Sequence, residues 1–142
     1  MKTPQPANPV IEYTREQDLD VDEFIALLQN TTLGERRPLS DRPRMATMLA
    51  NGSIIMTARC RGELVGVSRA LTDYAYCTYL SDLAVAESHQ GQGIGKELIR
   101  QTHETAGLNT MLILLAAPDA ETYYPHIGMT NHHSCWFIPR RS

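Results

Sequence analysis

The sequence holds no closely spaced pair of cysteines. Cys60, Cys77 and Cys135 are odd in number, lie far apart and form no C-x-x-C motif. This argues against a disulfide framework and fits reduced thiols in a cytoplasm. Long apolar runs are also missing. The longest, MLILLAA at 111–117, falls well short of the ~20 residues a membrane helix needs. The opening MKTPQPANPV lacks the apolar stretch of a secretory signal. Positive charge is not in excess: 13 Lys and Arg face 16 Asp and Glu, a formal net charge of -3. That balance argues against nucleic acid as a partner. Repeats, low-complexity tracts and linkers are absent. What is present is a chain of 142 residues, 42% apolar and 20% charged. It suits one soluble domain over 1–142, able to hide roughly 68–70% of its unfolded surface. The expectation is a cytoplasmic protein with no membrane contact and a loose, proline-rich start over residues 1–9.

Periodicity predicts the order β-α-α-β-β-β-α-β-α-β. VIEY at 10–13 reads as a strand. Val21, Phe24, Ile25 and Leu28 then recur at helical spacing behind acidic residues, which the helix dipole favours at an entry. The segment 31–43 is a loop by its Gly, Pro and Ser content. RPRMATMLANG suggests a second helix ending near Asn51-Gly52. Two β-rich arms, around 53–60 and 64–72, flank RGE as a hairpin. YCTYLSDLAVA at 76–86 is a further strand. Ile94, Leu98, Ile99, Thr102 and Ala106 mark one face of a helix closed by Gly107. TMLILLAA reads as a strand buried on both faces. PDAETYYPHIG starts a short helix that Pro125 cuts, and HHSCWFIP closes the chain as a last strand. A strand, crossover helix and strand over 76–116 require a parallel pair if the strands are neighbours. The fold class is therefore α/β, a mixed sheet with helices on its faces.

Residues 89–96, HQGQGIGK, form a glycine-rich link between a strand and a helix. A Walker A loop needs glycine where Gln90 stands and a hydroxyl where Glu97 stands, so a nucleotide triphosphate is disfavoured. A dinucleotide fingerprint needs a third glycine where Lys96 or Leu98 stands. The pattern that fits is Q-x-x-G-x-G, through Gln90, Gly93 and Gly95. Glycines there let backbone approach an anion, and the first-turn amides of the helix have no intrahelical partners. A nest of successive amides can wrap two linked phosphates without a metal.

The passage SDLAVAESHQGQGIGKELI resembles motif A of the GNAT N-acetyltransferase superfamily. Downstream, Ala120, Tyr123, Tyr124, Gly128 and Met129 resemble a second signature of that family. The resemblance covers about residues 53–138. It implies a single-domain GNAT-like fold and transfer of an acetyl group from acetyl-CoA, the co-substrate, to a primary amine in a ternary complex. The acceptor would be a small amine or a peptide amino group. The resemblance implies that Gln90, Gly91, Gln92, Gly93, Ile94, Gly95 and Lys96 hold the pyrophosphate. It implies that Leu83, Ala84 and Val85 pair their main chain with the pantetheine arm, and that the Leu83 N–H polarises the thioester carbonyl. By position in the second signature, Tyr124 contacts the cofactor and donates a proton to the departing thiolate, with Tyr123 as fallback. Asp82 stands where relatives are often acidic and is a candidate base. Glu35 is another, expected nearer the acceptor, and Glu35 and Arg36 are the candidate substrate-binding residues. Ala117 replaces a frequent asparagine and Pro125 interrupts the second signature, which leaves a non-catalytic CoA-binding module as the alternative.

Arg36, Arg37, Arg42 and Arg44 crowd one short segment. They suit an acidic substrate or nucleotide phosphates, but solvated loop charge is the plainer reading. His132, His133 and Cys135 lack a second ligand pair, so no metal is expected. His103 is expected at the surface, and Cys77 as an idle thiol. The final CWFIP offers an interface for a homodimer.

Overall fold

The computed structural model describes residues 9–120 and 122–141. Residues 1–8, most of the expected loose start, lie outside the described residues. Five strands form one sheet in sequence order: β1 (Ile11–Arg15), β2 (Ile54–Cys60), β3 (Glu63–Thr72), β4 (Cys77–Val85) and β5 (Met111–Ile113). The first four run antiparallel to their neighbours, and β5 lies parallel to β4. The parallel pair expected around the crossover helix is therefore present. The β2–β3 hairpin turns on Arg61 and Gly62, both left-handed with φ 53° and 82°. This turn matches the twist of paired strands.

Helices α1 (Val21–Gln29) and α2 (Arg42–Ala50) cover one face of the sheet, and α3 (Ile94–Ala106) covers the other. Asp20 caps α1 by accepting from the Glu23 N–H, and Asp41 caps α2 through the Arg44 N–H. Each cap satisfies one of the orphan amides of a first turn. Phe24 and Leu28 are fully buried against Ile55, Val67 and Ala84. At about 1.5–3 kcal/mol for each large apolar side chain, this packing, more than the short helix itself, holds α1 in place. On the other face Ile94 and Leu98 pack toward Gly66. A Cβ at Gly66 would stand 3.1 Å from both, so glycine lets α3 lie close to the sheet.

A bulge in β4 decides which face the site residues occupy. Arg69 opposes Asp82, whereas Ala70 opposes Leu80, so Ser81 is the extra residue. Leu80 then joins the core under α3, while Ala84 joins the core under α1 and α2.

Three expectations need correction. The run 110–117 is not a doubly buried strand: β5 has only three residues, and Met111, Ile113 and Leu115 are exposed. It is the edge of the sheet, with no strand on its outer side among the described residues. Residues 132–139 form no strand. Trp136, Phe137 and Ile138 have strand propensity but pair with no strand among the described residues, and all three are exposed. Pro125 does not cut a helix. It sits inside the single-turn α4 (Tyr123–His126), at a first-turn position where its missing N–H costs nothing.

Candidate active site

The segment after β4 builds one end of a cleft of about 940 Å³. A 3-10 turn at Glu87–His89 leads into Gln90, whose Nε2 donates to the Val85 carbonyl at 3.2 Å. Gly91 and Gly93 both have φ 79°, a conformation costing any L side chain about 1–2 kcal/mol. Gly93 is the N-cap of α3 and supplies no side chain to the first-turn amides. Nothing lies within 4 Å of where a Cβ at Gly91 or Gly93 would stand. The loop thus offers unshielded backbone, open space and the positive end of a helix dipole, a setting suited to linked oxyanions. Lys96 lies exposed on the same wall.

Tyr123 and Tyr124 form a second wall. Their rings meet edge to face with centroids 5.2 Å apart. The Tyr123 hydroxyl lies over the first turn of α3, 2.7 Å from where a Cβ at Gly95 would be. Glycine at position 95 therefore makes room for it. Burial raises the Tyr123 pKa above 10.0, and the Lys96 backbone N–H works against that rise. Burial, and secondarily the neighbouring Tyr123, raises the Tyr124 pKa above 10.0. Tyr124 therefore keeps its proton through the neutral range and is available as a donor.

The floor is the outer edge of β4. Pairing with β5 ends at Tyr79–Ile113, so among the described residues β4 continues without a strand neighbour on that side. Leu83 and Val85 line the cleft there. Ala84 is buried toward α1 and α2, and its side chain takes no part in the lining. Gln92 is exposed outside it. The remaining wall is the C-terminal end of α1 and the 3-10 turn Thr32–Arg36, which brings Glu35 to the cleft.

Asp82 does not fit the position of a base. It is fully buried, and its two oxygens are taken by separate guanidinium groups. Arg37 Nε donates to Oδ1 at 2.5 Å, and Arg69 Nε donates to Oδ2. Arg37 also donates to the carbonyls of Ser81 at 2.7 Å and Arg36 at 2.8 Å. The carboxylate thus ties the Thr32–Arg36 turn to β3 and β4, and it does not line the cleft. Glu35, of the two acidic candidates, does.

The four clustered arginines separate in space. Arg37 joins Asp82. Arg42 pairs with Asp22 on the exposed surface. Arg44 is exposed on α2. Arg36 lines a smaller cavity beside the main cleft, with Arg140. His103 is not a plain surface residue: its Nε2 meets the Thr110 carbonyl at 2.8 Å and fixes the turn between α3 and β5. Among the described residues, no three His, Cys, Asp or Glu side chains group as metal ligands. Nor is any helix there long and apolar enough to cross a membrane. Sequence reasoning looked for acceptor specificity in the two N-terminal helices and the 31–44 loop but singled out none of Gln29, Asn30 and Thr32, which line the cleft wall, since that stretch carries no motif.

Comparison with known proteins bears on the family and the fold. Histone acetyltransferase TAP1 of Glycine max is 31% identical over 124 residues, covering 78% of this chain and 52% of that protein. The chain thus spans about half the length of that curated relative. A GNAT family acetyltransferase of Streptococcus pneumoniae superposes with a TM-score of 0.68 at 19% identity, over 93% of this chain and 100% of that one. The aminoglycoside N-acetyltransferase AAC(6')-Iy, solved in complex with CoA, superposes at 0.72 with 15% identity, over 97% and 99%. At such identities the likeness is one of fold. Residues 17–129 match the Acetyltransferase (GNAT) family, and this chain belongs to it.

Proposed function

We propose that the chain is a single-domain N-acetyltransferase that moves the acetyl group of acetyl-CoA to a primary amine by direct transfer in a ternary complex. One observation carries the reading: the uncapped glycine loop, the free edge of β4 and a protonated Tyr124 face a common cleft. Gly91, Gly93 and the first turn of α3 would hold the pyrophosphate. Leu83 and Val85 would pair with the pantetheine amides, and the Leu83 N–H would meet the developing oxyanion. Such a donor contributes roughly 10²–10³ in rate.

The amine nitrogen attacks the thioester carbonyl, a C–N bond forms and the C–S bond breaks. Tyr124 gives its proton to the departing thiolate, and Glu35 takes the ammonium proton through water. Asp82 acts through position, by fixing the turn that carries Glu35. The three free cysteines support a reducing, cytoplasmic setting. Exposed Trp136, Phe137 and Ile138, with the outer edge of β5, support a homodimer that buries these apolar surfaces.

Calorimetric titration of acetyl-CoA, run beside free-thiol release on a panel of polyamines, aminosugars, arylalkylamines, amino acids and peptides, tests the reading. Binding with turnover of one amine class supports it. Binding without thiol release on any amine would assign the cleft to a CoA-sensing module instead, and no binding would sink both.

A further inference from the structure

The 3-10 turn Thr32–Arg36 sends two adjacent, opposite charges to two adjoining cavities. Glu35 lines the main cleft. Arg36 lines a second cavity of about 160 Å³, which opens where β4 and β5 part. The two cavities share Thr32, Leu83, Ala120 and Tyr124 as a common wall. A molecule whose nitrogen reaches Leu83 and Tyr124 therefore has the second cavity immediately beside it.

That second cavity is cationic. Arg36, Arg37 and Arg140 line it, and among the described residues no carboxylate does. The Arg37 charge is balanced by Asp82, and its donors go to Asp82, Ser81 and Arg36. Arg36 and Arg140 form no ion pair among the described residues. The bond from Arg37 to the Arg36 carbonyl holds the backbone of this turn in place. Two guanidinium groups with no ion-pair partner among the described residues share one small concave surface, and an oxyanion there would be held by charge-assisted hydrogen bonds. The size also selects. A cavity of about 150 Å³ accepts a benzene-sized molecule, so a carboxylate or phosphate on a short arm fits and a nucleotide does not.

We propose that the second cavity is an oxyanion subsite for the acceptor, so that the preferred amine carries a carboxylate or phosphate a short distance from its nitrogen. This rests on the proposed acetyl transfer, with Glu35 receiving the ammonium end and Arg36 and Arg140 the anionic end.

The test uses matched pairs. Glycine, β-alanine and γ-aminobutyrate are compared with their amides, and phosphoethanolamine with ethanolamine, by kcat/KM for thiol release. The same compounds are titrated against the acetyl-CoA-saturated protein by NMR, reading the amides around Leu83 and Tyr79. The expected result is a preference of about tenfold or more for the anionic member of at least one pair, as one charge-assisted contact supplies. The preference collapses toward unity in Arg36→Gln and in Arg140→Gln, and persists in the surface control Arg44→Gln. The carboxylate and phosphate arms tell which oxyanion is taken. Turnover of neutral and anionic members alike, with no difference in Arg36→Gln, overturns the subsite and leaves acetyl transfer standing. Shifts from anionic members alone, lost in Arg36→Gln but without thiol release, keep the subsite and overturn the transfer.

Discussion

Tyr124 and Gly93 carry the two separable halves of the proposed chemistry. Burial raises the Tyr124 pKa above 10.0, so the donor form persists below that value and is lost as pH rises through it. The kcat profile of the wild type should therefore fall on the alkaline side, above pH 10. Tyr124→Phe should lose about 10²–10⁴ in kcat, with acetyl-CoA affinity little changed and the alkaline limb abolished. A small loss with the limb intact would make Tyr124 a packing aromatic. Gly93→Asp should act on the other half. It places a side chain at φ 79° and a carboxylate at the helix N-terminus where the pyrophosphate would sit. Calorimetry should find acetyl-CoA affinity lost while the circular dichroism of the fold is retained. The glycine loop and the Tyr-Tyr pair that line the cleft were legible in the sequence because both are local patterns; their proposed roles came from the family resemblance. The place of Asp82 was not. Its partners Arg37 and Arg69 lie 45 and 13 residues away, and the Ser81 bulge decides which face its carboxylate occupies.

At the scale of elements, Asp82 and Asp73 make opposite kinds of prediction. Asp82→Ala leaves two guanidinium groups facing a buried gap and should cost about 3–5 kcal/mol in urea unfolding. An Asp82→Asn variant that stays stable yet loses kcat with a displaced acid limb would instead restore Asp82 as the base. Asp73 orders the link between β3 and β4 by accepting from the N–H groups of Ala75, Tyr76 and Cys77. Those amides lower its pKa to about 2 from 3.8. A folded pKa below the unfolded value means stability present above 3.8 and lost as pH falls toward 2. Thermal melts between pH 2 and 5 should show that loss in the wild type, and a smaller slope in Asp73→Asn. The first three helices were read from periodicity and end signals, since both are properties of contiguous residues. The last strand was not, because strand formation needs a neighbouring edge that no local pattern reports. That Arg36 and Arg140 line one cavity was equally hidden, as they come to it only through the fold.

For the whole molecule, the sheet ends in an exposed apolar edge and the chain in an exposed Trp136–Ile138 run. A homodimer covering them should appear in sedimentation as a concentration-dependent dimer, weakened by Trp136→Glu; a monomer at all concentrations would remove it. In the proposed reaction one cleft brings acetyl-CoA and an amine together for direct transfer. The most direct measurement is incubation with acetyl-labelled CoA, with and without the amine that turns over, followed by mass analysis of protein and products. Direct transfer should give free thiol only when the amine is present, with the label on the amine nitrogen and none on the protein. Label on a protein side chain, or thiol release without an amine, would contradict it.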